Sequence, residues 1–188
     1  MKQIFYKFIF CKLFGWKVVG TIDPKIEKCV LIAVPHTSWM DFFLGIFTRG
    51  ILDISINYVA KKELFVFPFN FFFKWTGGTP LNRKKNENKV DTIAKIFQDS
   101  KVFRLAIAPE GTRKKVYKWK TGFYYIALKA NVPIIPVAFD YGKKEVVFNN
   151  PFYPSGNIEV DIPILESHFK EIIGKVHKFS YEPKPKSF

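Results

Sequence analysis

Short apolar runs recur along this chain, each closed by a polar or turn-forming stretch. CVLIAVPH (29–36) is β-branched and ended by Pro35, which predicts a buried strand. DFFLGIFTRGI (41–51) opens with an acidic residue and continues apolar, as a helix does behind an N-terminal Asp. ISINYVA (54–60) alternates with the period of a strand. LFVFPFNFFF (64–73) has no charge and is broken only by Pro68; too short to cross a bilayer, it reads as a hydrophobic wall or lid. GGTPLNR (77–83) reads as a loop, and Val90, Ile93, Ala94 and Phe97 then keep the i, i+3, i+4, i+7 spacing of an amphipathic helix.

FRLAIAP (103–109) predicts another strand and EGTRKK (110–115) a loop at its end. TGFYYIALKAN (121–131) reads as a helix and VPIIPVAF (132–139) as a buried strand. EVVF (145–148) and NIEVDI (157–162) are expected strands, and LESHFKEIIGKV (165–176) an expected last helix. Strands alternating with helices imply an α/β fold: a single domain with a mixed, mostly parallel sheet flanked by helices. Its 188 residues fit one domain, without internal repeats or Gly/Ser linkers. Ligands of such sheets sit beyond the carboxyl ends of the strands, which directs attention to the loops after residues 35 and 109.

The first twenty residues, MKQIFYKFIFCKLFGWKVVG, depart from this pattern. Lys2, Lys7, Lys12 and Lys17 cut them into apolar runs of at most four residues. Spaced five apart, the lysines turn about 140° each time on a helix, so no single polar face forms. An interrupted apolar core without a small-residue cleavage site argues against a secretory signal, and no uninterrupted span for a bilayer is present. Two readings remain: a membrane-interface anchor helix over residues 1–20, ahead of a globular domain at 21–188, or a helix packed into the core. The anchor reading places the protein peripherally or monotopically on the cytoplasmic face of a membrane, with Phe5, Phe8, Phe10, Phe14 and Trp16 inserted.

Composition bears on that choice. The formal net charge is +14, and 22 Phe, 8 Tyr and 4 Trp are an aromatic load that suits a membrane-surface protein. Two cysteines, Cys11 and Cys29, allow no disulfide framework and no thiolate metal cluster. A basic chain also suits nucleic acid, but here the lysines are spread along the sequence without a recognised binding motif, so no nucleic-acid partner is expected.

Two stretches carry candidate chemistry. In HTSWMD (36–41), His36 follows a strand and Asp41 begins a helix, so the carboxylate can fold back on the imidazole. A carboxylate on one ring nitrogen fixes the tautomer and leaves the other nitrogen as a general base. The plainer alternative is that Asp41 caps the helix and His36 is an ordinary loop residue. No metal is expected, because two ligands are too few and His168 and His177 lie in a charged terminal segment. In APEGTRKK (108–115), Arg113 stands out in a chain with far more Lys than Arg, as does Arg83 at the end of GGTPLNR. Arg offers a planar fork for phosphate. Gly111 permits close backbone approach and Thr112 offers a hydroxyl. Lys114, Lys115, Lys118 and Lys120 add positive charge for an anionic substrate or surface. The alternative for each loop is a simple turn with a surface Arg.

Together and in this order, these stretches resemble the glycerolipid acyltransferase family, typified by 1-acyl-glycerol-3-phosphate acyltransferases. The family's His-x4-Asp box is matched by His36 and Asp41 with Ser38 inside it, and its Gly-rich block ending in Arg by Gly77 through Arg83. Its Glu-Gly-Thr-Arg block is matched by Glu110, Gly111, Thr112 and Arg113, its Lys-x-Gly by Lys120 and Gly122, and its Pro-rich block by VPIIPVAF. Pro35 stands where the family often has Asn, and Asn82 where an acidic residue often precedes the Arg. The resemblance implies acyl transfer from a thioester donor, acyl-CoA or acyl-carrier protein, to the hydroxyl of a lysophospholipid such as 1-acyl-glycerol-3-phosphate. It makes His36 the base and Asp41 its orienting partner. Arg83, Glu110, Gly111, Thr112, Arg113 and Lys120 become substrate-binding, and backbone amides near 110–112 candidates for the oxyanion site. It requires no cofactor, metal or acyl-enzyme. A lyso-amino-acid lipid or another lysolipid is the alternative acceptor, and a basic membrane- or nucleic-acid-binding module the alternative outside enzymes.

Overall fold

The computed structural model describes residues 2–81 and 88–183, and its chain begins with α1 (Lys2–Lys7) and a π-helical segment, Phe8–Leu13. The expected twenty-residue helix therefore ends early. Gly15 turns the chain with φ +69°, and β1 (Lys17–Val19) follows as a strand of the main sheet. Phe10 and Trp16, expected in a membrane, are instead 0% and 7% exposed in the core, whereas Phe5, Phe8 and Phe14 are exposed. Phe10 stacks on Phe47 and packs beside Trp16, so this segment is anchored to the domain by its own aromatic side chains.

β2 (Lys28–Val34) leads into α2 (Met40–Leu52), as its apolar run predicts. β3 (Tyr58–Lys61) pairs in parallel with β4 (Gly78–Leu81) in a small second sheet, with α3 (Phe69–Trp75) between them. GGTPLNR is thus largely a strand rather than a loop: Gly77, at φ +95°, turns the chain and the next four residues extend along β3. Arg83 lies outside the described residues. α4 (Lys89–Asp99) is capped by Asn88, whose side chain accepts the Val90 N–H. β5 (Phe103–Ile107), α5 (Gly122–Ala130), β6 (Ile134–Asp140) and β7 (Glu145–Phe148) complete the expected pattern.

Of the last two expectations, the first is reversed and the second holds only at its start. NIEVDI alternates like a strand but forms the start of α6 (Ile158–Ser167). Asn157 caps it by accepting the Glu159 N–H, and Glu159 and Asp161 sit in the first turn, where the helix dipole favours anions. Buried Asp161 is fixed there by Tyr124 Oη–H at 2.8 Å and by the Ser155 N–H at 2.7 Å. LESHFKEIIGKV is helical only to Ser167; the chain continues in turns, with Glu171 at a left-handed φ of 62°.

The main sheet has the order β1-β7-β6-β2-β5, parallel throughout except for the antiparallel β6–β7 pair. β2 lies inside it, between β6 and β5, and is apolar on both faces, as a covered parallel strand must be. Val30, Ile32 and Val34 join a core beneath α4, α5 and α6, while Cys29 and Leu31 face the opposite core with Phe10, Trp16 and Leu44. The adjacent parallel strands β2 and β5 run in register, Ile32 opposite Ile107, so their C-terminal loops emerge side by side. Those are the loops carrying His36 and Arg113.

Candidate active site

Asp41 sits in the first turn of α2 and is 2% exposed, yet it does not cap the helix. Its carboxylate folds back over the preceding loop, where Oδ2 accepts the N–H groups of Thr37 and Ser38, both at 2.9 Å. The same oxygen lies 3.0 Å from His36 Nδ1. An ionised carboxylate only accepts, so Nδ1 carries the imidazole proton and Nε2 keeps its lone pair. Nε2 faces outward, 3.5 Å from Arg113 Nε. The spacing therefore builds an oriented base.

The other Asp41 oxygen is held by a residue that sequence reasoning missed. Tyr141 Oη–H donates to Oδ1 at 2.7 Å. Burial, followed by the bond to Asp41 and its charge, pushes the Tyr141 hydroxyl far above its ordinary range, so it remains a protonated donor. Tyr141 immediately follows β6, and the rule that sites collect beyond strand C-termini was the signal available for it.

Glu110 is placed differently from its expected substrate contact. It is 3% exposed, turned inward, and its Oε2 accepts the His36 backbone N–H at 2.6 Å. Burial raises its pKa to about 7, only partly offset by that hydrogen bond and by His36. Glu110 thus ties the second loop to the first and braces the turn after Pro35. Gly111 adopts φ +64°, and a Cβ there would meet Lys120 Nζ at 2.7 Å, so glycine lets the Lys120 side chain cross the turn. The Gly111 N–H closes onto the Ala108 carbonyl at 3.1 Å and is already engaged as a donor. Arg113 and Lys120 are exposed and Thr112 half-buried at the outer edge of this turn.

His36, Asp41 and Arg113 line a cleft of ≈ 320 Å³ together with Phe42, Arg49 and Tyr58, within the range of ligand-holding sites. Arg49, two turns beyond Asp41 on α2, is a second basic group on its wall and is oriented by donating from Nη1 to the Trp75 carbonyl at 3.1 Å. Nothing in its sequence surroundings marked it. Around the cleft, Phe42 contacts Tyr58 and Phe72 edge-on or tilted, and Trp39, Phe67, Phe69, Phe71 and Trp75 stand exposed nearby in sequence. Among the described residues no helix is long and apolar enough to cross a membrane.

Comparison with known proteins agrees with this geometry. The family model described as Acyltransferase matches residues 17–140, which include every residue of both loops. A 1-acyl-sn-glycerol-3-phosphate acyltransferase of Bacillus subtilis (strain 168) is 28% identical over 153 residues, 74% of this chain and 74% of that protein. One from Saccharomyces cerevisiae is 32% identical over 129 residues, covering 64% of this chain but only 41% of the yeast protein. The crystal structure of the 1-acyl-sn-glycerophosphate acyltransferase PlsC from Thermotoga maritima shares the fold, with a TM-score of 0.58 and 24% identity over 88% of this chain and 74% of that one. With its oriented His36–Asp41 pair inside the matched region, the chain belongs to the Acyltransferase family, as an O-acyltransferase.

Proposed function

We propose that this O-acyltransferase moves a fatty acyl group from a thioester, acyl-CoA or acyl-carrier protein, to the free hydroxyl of 1-acyl-glycerol-3-phosphate, giving phosphatidic acid. The observation that carries the reading is the 3.0 Å contact of His36 Nδ1 with Asp41, which turns Nε2 toward the cleft, where its one partner among the described residues is the long 3.5 Å contact from Arg113 Nε. Nε2 takes the proton of the acceptor hydroxyl as its oxygen attacks the thioester carbonyl, and Asp41 stabilises the imidazolium so formed. The thiolate leaves readily, because its thiol has a pKa near about 8.5. No acyl-enzyme is needed, since the acceptor oxygen is itself the nucleophile.

Arg113 supplies the planar fork for the acceptor phosphate, Arg49 is a second cation in the cleft lining, and exposed Lys120 adds charge from the same loop as Arg113. The apolar side of the cleft, from Phe42 to Tyr58, takes acyl chain. Long-chain acceptors reside in bilayers, and we assign their delivery to the exposed aromatic side chains of residues 64–75 and to Phe5, Phe8 and Phe14. Lysines along the same surfaces attract anionic headgroups.

The test supplies purified protein with long-chain acyl-CoA or acyl-carrier protein and a panel of lysolipids, and identifies the acylated product by mass. The expected preferred acceptor is 1-acyl-glycerol-3-phosphate, with free thiol released in equal amount. A preference for a phosphate-free acceptor, such as a lyso-amino-acid lipid, would remove the headgroup assignment. Absence of thiol release with every acceptor would remove acyl transfer from thioesters.

A further inference from the structure

On the face of α2 that turns away from the catalytic cleft lies a larger groove of ≈ 480 Å³, which acyl transfer as described does not use. Its walls are apolar and come from parts of the chain far apart in sequence. Met40, Phe43, Leu44 and Phe47 present one stripe of α2 to it, while Phe42, Gly45, Ile46 and Arg49 of the same helix line the catalytic cleft. Phe10, Phe14 and Trp16 complete the lining, with Phe10 and Phe14 packed on Phe47. The groove is bordered by Lys144, Lys175 and His177, and its described lining contains no acidic side chain. Lys144 Nζ donates to the Phe14 carbonyl at 3.3 Å, and Lys175 Nζ lies 5.8 Å above the Tyr141 ring, so two of these cations gather at the mouth of an aromatic trough.

An apolar slot ending in basic groups recognises one chemistry: a hydrocarbon tail joined to an anionic head. The neighbouring Phe5, Phe8 and Leu13 are exposed apolar groups of the N-terminal segment, which places the slot beside the surface assigned to the bilayer. Accepting the membrane reading above, we infer that this groove binds one acyl chain of an anionic bilayer phospholipid, with Lys144, Lys175 and His177 holding its phosphate. This lipid is not the acceptor, because α2 separates it from His36 Nε2. It docks the enzyme in a fixed orientation instead. Tyr141 forms part of the groove wall and also donates to Asp41, so an occupied groove lies one side chain from the catalytic pair.

Trp16 makes the proposal measurable. It is 7% exposed and packs edge-on against Tyr141 with ring centroids 4.8 Å apart, so lipid touches it only by entering the groove. The full chain is prepared with Trp39→Phe and Trp75→Phe, leaving Trp16 and Trp119; the latter is buried in the other core against Phe123, Phe169 and Tyr181. This protein is mixed with vesicles of phosphatidylglycerol, or of phosphatidylcholine, carrying mid-chain bromine, which quenches tryptophan on contact. Sedimentation and emission are read from the same samples. Brominated phosphatidylglycerol should remove the Trp16 share of the emission, brominated phosphatidylcholine should remove little of it, and Trp16→Phe on this background should abolish the quench. Lys144→Glu with Lys175→Glu should restore emission while the protein still sediments.

Sedimentation with phosphatidylglycerol but unchanged emission overturns the groove assignment and leaves the membrane reading standing. A quench that survives Trp16→Phe overturns it as well. Failure to sediment with either vesicle removes the membrane reading instead. Micelles of mid-chain-brominated lysophosphatidylglycerol then test the groove alone, and unchanged emission there overturns it.

Discussion

The two loops beyond β2 and β5 leave the sheet side by side and are built in opposite ways. In the His36 loop the polar groups are tied down: the amide of His36 to Glu110, those of Thr37 and Ser38 and the His36 ring to Asp41, and Asp41 in turn to Tyr141. In the Arg113 loop Glu110 turns inward and Lys115 is tied to the Ser180 carbonyl and Glu182, while Arg113, Lys114 and Lys120 are exposed. The difference follows from what each must do. A base works at one hydrogen-bond geometry, and an error of roughly 0.5 Å in its position already matters. A phosphate holder acts through charge and a broad fork, so it tolerates motion and lets ligand in. The tied-down loop should therefore control turnover and the exposed groups of the other should control affinity.

The sharpest way to break that division is in the rigid loop. His36→Ala should lower kcat by at least about 100-fold, the usual span for loss of a general base, while the far-UV spectrum and melting temperature stay close to native. Asp41→Asn should fall nearly as far, because the amide no longer enforces the tautomer with its proton on Nδ1. Near-normal turnover of a folded His36→Ala protein would remove the base from the mechanism.

The outer loop should respond in affinity. Arg113→Lys keeps the charge and loses the fork, so the acceptor KM should rise roughly tenfold, about the worth of one hydrogen bond to a charged group. The donor KM should change less. Equal changes for both substrates would make Arg113 a support of the loop rather than a contact for phosphate.

A third substitution asks whether the rigid network extends beyond the motif. Tyr141→Phe retains the ring against Trp16 but removes the donor to Asp41 Oδ1. We expect kcat to fall about fivefold, somewhat under one hydrogen bond to a carboxylate, with both KM values unchanged. Without that donor the Asp41 charge is less dispersed and holds the imidazole proton harder, so the acidic limb of the rate–pH profile should move upward. An unchanged profile with a lowered melting temperature would confine Tyr141 to packing.

How much of this was legible in the sequence depended on the range of the interaction. His36 and Asp41 are five positions apart across a strand–helix junction, so local spacing already brought them together. Glu110 was found by its motif but misread, since only the fold shows that it faces the backbone of His36 seventy-four positions away. Tyr141, one hundred positions from Asp41, had no local pattern at all. The same reasoning explains the errors in the fold. The central strands were plain because they are apolar on both faces. NIEVDI misled because the alternation of Ile158, Val160 and Ile162 was outweighed by the Asn157 cap and the contacts of Asp161. In residues 1–20 the burial of Phe10 and Trp16 was not legible, because apolar residues suited equally to lipid and to a core, such as Phe10 and Phe14, differ only in what packs on them.

Glu110, the one member of the outer loop that belongs to the rigid network, gives the smallest effect on turnover and a distinct effect on stability. Burial raises its carboxyl from the ordinary 4.5 to about 7, so between those values the native state keeps a proton that the unfolded chain has released. Stability from this group is therefore fully present below about pH 4.5 and is lost as pH rises through about 7, on the order of 3 kcal/mol in all. Glu110→Gln keeps an oxygen to accept the His36 N–H but cannot ionise. Its melting temperature should lie near that of the native protein at pH 4.5 and above it at pH 8, by several degrees for a chain of this size. Turnover at neutral pH should change by less than about threefold, because the His36 loop remains braced by the amide oxygen. Thermal melts of both proteins across this pH range measure the gap. A gap that stays constant with pH would show that Glu110 titrates alike in the folded and unfolded chains, and would return its side chain to the open, substrate-facing side of the loop.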